Sequence, residues 1–355
     1  MKTNSGYNIL IFLFSTFLVG SSFVYEPKEI FQNPFFLKYA QRSTLPSPSM
    51  HKRQEIKHSA HKDAISSIPV TECMTVLMEN GKYHFVSNGD DTVCGVYLAS
   101  DANSLIEVEF TDYNVACESG GLISFFDGWE LNEKVFPSKH DHPIDFNDRF
   151  KEFCSKGSFD EKNRKTLRFV ASQNAAVIQY RIPTKGEGFS FTFNDVLNLE
   201  PCNVLMTVNQ GTFSLRNEGR PKNCSLTTLL FPANLKIVNM NVGINKENEK
   251  SFEVSSKSMK NKRVDIPCHQ RSNEDYIEFG GSAQLDSSEL SMKQTLCGIK
   301  TEASTKALTI LCGSTTVRLV SSGRYDNTLT VDVKEAEEED LNQSTNYIMM
   351  CPDYL

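Results

Sequence analysis

The segment from Cys117 to Cys154, CESGGLISFFDGWELNEKVFPSKHDHPIDFNDRFKEFC, decides the predicted fold. It contains the only tryptophan of the chain, Trp129, and a cysteine stands at each end. The apolar run 122–126 has the length of a buried strand, and Asp127-Gly128 is a turn dipeptide. The segment therefore predicts a loop-and-strand unit closed at its ends, on which the other strands pack.

The bulk composition indicates a globular protein. The 355 residues suffice for two domains, and 39% of them are hydrophobic, enough to bury a core. The net charge is −7, with acidic and basic residues mixed through most of the chain. A phosphate-binding surface would normally carry a basic excess, so we do not expect a nucleic acid partner.

The first residues resemble a targeting signal. Lys2 precedes an apolar run over 9–19, and small residues follow at 20–22. This order predicts a signal peptide over 1–22 and a secreted, extracellular protein. The run falls short of the ~20 residues of a spanning helix, so no membrane insertion is expected.

Residues 23–66 show no apolar periodicity and are interpreted as an irregular N-terminal segment and linker. Within it, Lys52-Arg53 is either a dibasic processing site or a solvated charge pair. Lys262-Arg263 is a second dibasic pair whose processing the sequence does not decide.

Ten cysteines in a secreted chain predict disulfide bonds. None of them has CxxC spacing, which weakens zinc-ribbon and redox interpretations. Pairing neighbours would give compact loops, but sequence alone leaves the connectivity open. The cysteines are Cys73, Cys94, Cys117, Cys154, Cys202, Cys224, Cys268, Cys297, Cys312 and Cys351.

Short runs of alternating apolar and polar residues predict half-buried strands, and convincing long helices are absent. Many short strands at close spacing favour an all-β fold built from antiparallel β-sandwiches. The apolar positions are Ile106, Val108 and Phe110; Ala176, Ile178, Tyr180 and Ile182; Phe189, Phe191 and Phe193; and Leu329, Val331 and Val333.

The pattern restarts near Cys202. In each half a cysteine pair 21 or 22 residues apart comes first, and a longer cysteine-closed loop follows. We interpret this as two copies of one architecture, a first domain over 67–194 and a second over 200–355. Residues 246–263 form a charged insertion in the second copy, predicted to be an exposed loop.

Several motifs resemble known families. Cys94-Gly95, the run to Asp127-Gly128 and Ser172-Gln173-Asn174 resemble a CUB domain, a disulfide-stapled extracellular sandwich. A closer resemblance, which covers the chain from about residue 33 and includes all ten cysteines, is to the corticotropin-releasing factor-binding protein family. Its motifs are Phe126-Asp127-Gly128-Trp129, Phe136-Pro137-Ser138, Asp141-His142-Pro143, Gly188-Phe189, Pro201-Cys202-Asn203-Val204, Asn223-Cys224-Ser225 and Val320-Ser321-Ser322-Gly323.

The resemblance implies two disulfide-stapled CUB-like domains in a secreted glycoprotein without enzymatic activity or cofactor. Such a protein would sequester corticotropin-releasing-factor-like peptide hormones, including diuretic-hormone-like ones, and limit receptor activation. It also implies a disulfide pairing between neighbours. The implied pairs are Cys73–Cys94, Cys117–Cys154, Cys202–Cys224, Cys268–Cys297 and Cys312–Cys351.

Two departures from the family pattern concern ligands. Family members implicate a basic residue before the first cysteine and an acidic one after it in binding, where this chain has Pro69 and Thr75. Many CUB domains bind calcium through an Asp that Gly120-Gly121 replaces here. Asp275 fills the similar place in the second copy, but one carboxylate is too few for Ca²⁺.

Other residues have competing interpretations. Trp129 is expected in the core beside a disulfide rather than as a ligand contact. His140 and His142 lack a third ligand of matching spacing, so no zinc is expected. Serines are plentiful but no GxSxG element is present, so no enzyme is expected. Asn223 and Asn342 lie in N-glycosylation sequons.

The ligand-binding residues cannot be identified from the sequence. The first copy, the segment before it and the contact between the copies are the candidate locations. If the hormone interpretation is wrong, the alternative is an extracellular CUB-type interaction module for another protein or a carbohydrate.

Overall fold

The computed structural model describes residues 67–131, 133–155, 166–244, 268, 274–304, 306–342 and 347–352. The predicted signal peptide, the N-terminal segment, both dibasic pairs and the insertion over 246–263 lie outside these ranges. No helix within the described ranges is long and apolar enough to cross a membrane.

The described part of the first half contains twelve strands and one 3-10 helix, Phe146–Arg149. The strands are β1 (Ile68–Pro69), β2 (Met74–Leu77), β3 (Gly81–Val86), β4 (Val93–Ala99), β5 (Ser104–Asn114), β6 (Leu122–Phe126), β7 (Trp129–Leu131), β8 (Lys134–Phe136), β9 (Phe150–Phe153), β10 (Leu167–Val170), β11 (Ala175–Arg181) and β12 (Gly188–Leu197).

The described part of the second half adds eleven strands and one short helix, α1 (Glu338–Asn342). The strands are β13 (Asn203–Leu205), β14 (Gln210–Arg216), β15 (Cys224–Thr228), β16 (Ala233–Val242), β17 (Tyr276–Ser282), β18 (Met292–Leu296), β19 (Gly298–Lys300), β20 (Leu308–Leu311), β21 (Ser314–Val320), β22 (Thr328–Glu335) and β23 (Tyr347–Met350).

Each half forms two sheets that enclose a core. In the first half the sheet orders are β1-β3-β12-β5-β10 and β2-β4-β11-β6-β9, and β7 and β8 form a separate hairpin. In the second half they are β14-β22-β16-β20-β23 and β13-β15-β21-β17-β18, with β19 paired to β16. The predicted all-β class of disulfide-stapled, mainly antiparallel sandwiches is confirmed.

The two sandwiches share a strand plan. β13-β15-β21-β17-β18 repeats the order and directions of β2-β4-β11-β6-β9. β14-β22-β16-β20 repeats β3-β12-β5-β10. They differ at the edges, because β1 pairs only with β3 in the first half, and β23 pairs with β20 in the second.

The predicted alternating positions point inward. Ile106, Val108 and Phe110 are fully buried, as are Phe191 and Phe193. The other apolar positions named for this pattern are also buried. Successive side chains of a strand alternate between faces, so one apolar face is sufficient to form each core. The strand prediction is therefore confirmed at these positions.

Five disulfide bonds join the ten cysteines, and the described residues contain no free cysteine. Each bond closes a loop of 21 to 39 residues. The pairs are Cys73–Cys94, Cys117–Cys154, Cys202–Cys224, Cys268–Cys297 and Cys312–Cys351, as the family resemblance implies.

A third apolar cluster, here called the seam cluster, joins the sandwiches. It covers the outer face of β4, β6 and β11 with the β7–β8 hairpin and with Leu205 and Leu285 of the second half. Trp129 lies in it at 5% exposure and donates its Nε1–H to Leu98 O at 2.8 Å. Its core placement is therefore confirmed. The members are Tyr97, Ala99, Phe126, Trp129, Val135, Phe136, Ala175, Val177, Leu205 and Leu285.

Candidate ligand-binding site

The turn after β6 places a buried carboxylate beside the seam cluster. Asp127 accepts hydrogen bonds from Ser172 N at 2.8 Å, Ser172 Oγ at 2.7 Å and Gln173 Nε2 at 2.7 Å. His142 Nε2 lies 3.3 Å from Asp127 Oδ2. Burial alone would raise the pKa of Asp127, but the hydrogen bond and charge of His142 and the two hydrogen bonds from Ser172 together lower it.

A buried arginine, Arg149 at the end of the 3-10 helix, contacts the same turn. Arg149 donates from Nε to Asp127 O at 2.8 Å and from Nη1 to Pro137 O at 2.9 Å. Its guanidinium also stacks 4.4 Å from the centroid of Phe126. Burial lowers its pKa to about 10, although the charges of Asp127 and Asp286 oppose this. Arg149 therefore stays charged near neutral pH. It also donates from Nη2 to Phe136 O at 3.3 Å, so it connects three backbone carbonyls with the Phe126 ring.

Asp127, His142 and Ser172 lie together but are not arranged for nucleophilic catalysis. Ser172 Oγ donates to the carboxylate rather than to the imidazole. His142 Nδ1 accepts from Ile144 N at 3.0 Å, so neither ring nitrogen faces a hydroxyl. A serine nucleophile needs its base within hydrogen-bond reach. The cluster is therefore a structural link between β6, the loop 137–145 and the turn before β11.

Asp275 repeats the Asp127 arrangement in the second half. It accepts from Ser322 N at 2.9 Å, Ser322 Oγ at 2.6 Å and Asn327 Nδ2 at 2.7 Å. Its oxygens are thus directed at protein donors. His140 is exposed while His142 is buried, so the two histidines do not converge. No group of three or more His, Cys, Asp or Glu with the geometry of a metal site occurs in the described ranges.

A buried ion pair crosses the seam. Arg318 on β21 contacts Asp141, in the loop 137–145, through Nε at 2.8 and 2.9 Å and through Nη2 at 2.6 Å. Arg318 Nη1 also donates to Glu278 Oε2 at 3.0 Å. Burial alone would lower the pKa of Arg318, but its hydrogen bonds and charge interactions with Asp141 and Glu278 raise it. Arg318 therefore stays charged, and its contact with Asp141 links the two halves.

Two asparagines add backbone links across the seam. Asn174 donates to Leu205 O at 2.7 Å, and its Oδ1 accepts from Leu205 N at 2.9 Å. Asn203 donates to Asp141 O at 3.0 Å. Asp141, Asn174 and Asn203 all belong to motifs that carried the family resemblance, so those motifs hold the two sandwiches together.

A groove of about 680 Å³, here called the seam groove, opens at one side of this contact. One wall comes from residues 101–103 of the first half and residues 199–201 of the connection. The other comes from β14 and the segment before it. The lining residues are Asp101, Ala102, Asn103, Leu199, Glu200, Pro201, Val204, Thr207, Val208, Gly211, Thr212, Phe213, Ser214, Leu215, Arg216 and Glu218.

The seam groove has a mixed lining, in which apolar residues stand beside polar and charged ones. Leu199 is 83% exposed and Val208 45% exposed, and both line it. Arg220 is 2.6 Å from Glu200 and 2.5 Å from Glu218, and Lys222 is 3.7 Å from Glu218, so two cations balance the two carboxylates there. Ligand sites typically have volumes in this range.

The two positions that depart from the family pattern lie on edge strands of the first sandwich. Pro69 is exposed on β1 and pairs with His84, and Thr75 is half-buried on β2. Asn223 is half-buried, and its Nδ2 lies 3.4 Å from His140 O. Asn342 is the last residue of α1. Glycosylation of both asparagines stays a prediction.

These features define the class of the protein. Two disulfide-stapled β-sandwiches, joined by a buried ion pair and with a groove beside the junction, form a tandem β-sandwich protein.

Comparison with known proteins specifies the family. The model of the corticotropin-releasing factor binding protein N-terminal domain matches residues 68–196, and that of the C-terminal domain matches residues 204–342. The chain belongs to the corticotropin-releasing factor-binding protein family.

Individual relatives agree with this. The corticotropin-releasing factor-binding protein of Homo sapiens is 28% identical over 270 residues, which cover 76% of this chain and 77% of the relative. That of Xenopus laevis is 26% identical over 330 residues, which cover 93% and 92%. Among solved structures, the CUB1-EGF-CUB2 domains of rat MASP-1 are 12% identical and cover 74% of this chain and 99% of that chain, with a TM-score of 0.24.

Sequence reasoning missed the seam ion pair and the seam groove. Asp141 and Arg318 are 177 residues apart, and no local pattern relates them. The one available signal was Arg318 within the apolar run of β21, where a charged residue needs a partner if it is buried. The seam groove depends on which edge strands are covered by other segments. The alternation of apolar and polar residues along a strand carries no information about this.

Proposed function

We propose that this protein is a secreted binding protein that sequesters corticotropin-releasing-factor-like peptide hormones, diuretic-hormone-like peptides among them, and thereby limits receptor activation. The observation that carries the proposal is the family match over both sandwiches. Relatives that align along most of their length are named for binding corticotropin-releasing factor.

The fold supports an extracellular binding role. Five disulfides are expected in an oxidising compartment, and they hold both sandwiches rigid before a ligand arrives. A flexible peptide loses conformational entropy when it binds, so a pre-formed partner improves affinity by not having to order itself as well. The arrangement around Asp127 has no nucleophile–base pair, which supports binding without catalysis.

The test is calorimetric titration of the oxidised protein with a panel of amidated corticotropin-releasing-factor-like and diuretic-hormone-like peptides. We expect saturable one-to-one binding in the nanomolar range, about −12 kcal/mol, with a negative heat-capacity change from apolar burial. In a receptor assay, stoichiometric protein should shift the peptide dose–response curve to higher concentration.

The competing function is a CUB-type interaction module for another protein or a carbohydrate. It is favoured by the uncharged Pro69 and Thr75, where family members implicate charged residues. If protein that carries all five disulfides produces no heat with any peptide of the panel, the hormone assignment is wrong and this module becomes the better description.

A further inference from the structure

Within the described ranges, the second sandwich has no counterpart of β1, the outermost strand beside β3 in the first sandwich. In the first, β1 is a short extended segment that pairs in parallel with the edge of β3, Ile68 opposite Tyr83. β14 occupies the position of β3 in the second sandwich and pairs with β22 on one side only. Within the described ranges no strand pairs with its other side. The fold thus contains one edge that takes an added strand and one equivalent edge that is uncovered.

The seam groove runs along this uncovered edge. Six consecutive residues of β14, 211–216, line it. Leu215 of this set points into the core, while Thr212 points outward and bonds Asp332 at 2.6 Å. A groove over one face of a strand would be lined by alternate residues, because side chains alternate. Lining by all six places the groove against the backbone edge, where unpaired N–H and C=O groups are available.

The walls indicate what kind of segment fits. Val208 and Leu199 present apolar surface on opposite sides, and Phe213 closes the groove toward the core. Asp101 has no ion pair in the described part of the chain. The pKa of nearby Asp195 is raised mainly by the burial of Asp195 and further by the charge of Asp101. A cation beside Asp101 would be favourable.

We propose that the seam groove binds an extended peptide segment, apolar with a basic residue at the Asp101 end, which adds to β14 as a strand. Main-chain hydrogen bonds to β14 supply affinity, and the apolar walls select side chains. Identifying that segment as part of the hormone rests on the proposed function. The bound segment would thus pair with β14 in the second half as β1 pairs with β3 in the first half.

The experiment is hydrogen–deuterium exchange of the full, oxidised protein with two probes. One is the tightest-binding hormone of the panel. The other is a short synthetic peptide of alternating valine and threonine with an amino-terminal lysine, at millimolar concentration. With either probe bound, the exchange rates of backbone amides in 211–216 should fall by about tenfold or more. Amides of β23, the opposite edge of the same sheet, should not change.

A matched pair of variants identifies the groove. Val208→Asp places a charge on the apolar wall, and affinity for both probes should fall about tenfold or more. Ile348→Glu alters β23 at a similar exposure, 51% against 45%, and should bind as the wild type does. Both positions are exposed, so both variants should keep the wild-type unfolding midpoint.

The outcomes separate the two proposals. If no hormone binds but the synthetic peptide protects 211–216, the groove stands and the hormone function is wrong. If hormones bind wild type and Val208→Asp equally, without protection of 211–216, the function stands and the groove proposal is overturned. Absence of protection with both probes also overturns the groove proposal.

Discussion

The ion pair across the seam supports an asymmetric stability prediction. Arg318→Met leaves the fully buried Asp141 side chain with only Ser287 Oγ, at 3.2 Å, as a charge-stabilising donor. Removing one partner of a buried pair costs about 3–5 kcal/mol because it leaves an uncompensated charge. We expect Arg318→Met to lower the free energy of unfolding by about 4 kcal/mol, within that range.

The reverse change should cost less. Asp141→Asn leaves Arg318 its contact with Glu278 at 3.0 Å, so its charge stays partly compensated. We expect a loss of about 2 to 3 kcal/mol, below that of Arg318→Met. The double variant should lose less than the sum of the two, because each single change strands a group that the other removes.

The assay is urea unfolding with the disulfides intact, followed by fluorescence of Trp129 and by far-ultraviolet circular dichroism. Trp129 is the only tryptophan and lies in the seam cluster, so its fluorescence reports the junction itself. The control is Arg181→Met on β11, the strand equivalent to β21. Arg181 pairs with Asp91 at the surface, 2.7 Å apart, and such pairs contribute about 0–1 kcal/mol.

The reasoning would be refuted by an Arg318→Met variant no less stable than Arg181→Met. It would also be refuted if Asp141→Asn lowered the free energy of unfolding more than Arg318→Met does. In that case the partner left to each remaining charge, Glu278 for Arg318 and Ser287 for Asp141, would not explain the loss of stability.

Two further predictions concern the turn after β6. Gly128 has φ +121°, and a Cβ there would overlap Phe136 O, so Gly128→Ala should cost about 3 kcal/mol in urea unfolding. Gly186→Ala, also at positive φ but in open space, should cost only about 1 kcal/mol, and equal losses would contradict the steric argument. The pKa of Asp127 is lowered in the folded state, so its contribution is complete above the unfolded pKa of about 4 and disappears as pH falls through the lower folded pKa. Asp127→Asn should therefore be less stable than wild type by about 2 kcal/mol near neutral pH, with a smaller gap in acid; a gap independent of pH would contradict this.

Strand positions were accessible to sequence reasoning because their information is local. Ile106, Val108 and Phe110 alternate with glutamates, and the pleat sends them to one face whatever the partner strands are. The turn at Asp127-Gly128 was likewise readable from its dipeptide. The disulfide pairing came from family resemblance, since spacing alone allowed alternatives.

The other face of the central strands was not accessible in this way. Val177 on β11 and Arg318 on β21 are buried on the side that alternation assigns to solvent. Val177 is covered by the β7–β8 hairpin together with Leu205 and Leu285, and Arg318 is covered by the loop 137–145. These covering residues lie far away in sequence.

The sequence by itself thus determined the all-β class, the inward-facing residues and, through its motifs, the family. These follow from period-two alternation and from residue types at fixed spacing, which act over a few residues. The tertiary structure alone decided that Asp141 meets Arg318, that Trp129 lies at the junction, and that β14, among the described residues, has no partner on the side where β3 pairs with β1. The physical reason is that such contacts depend on how two sheets and two sandwiches meet, and the residues that meet are separated by up to 177 positions.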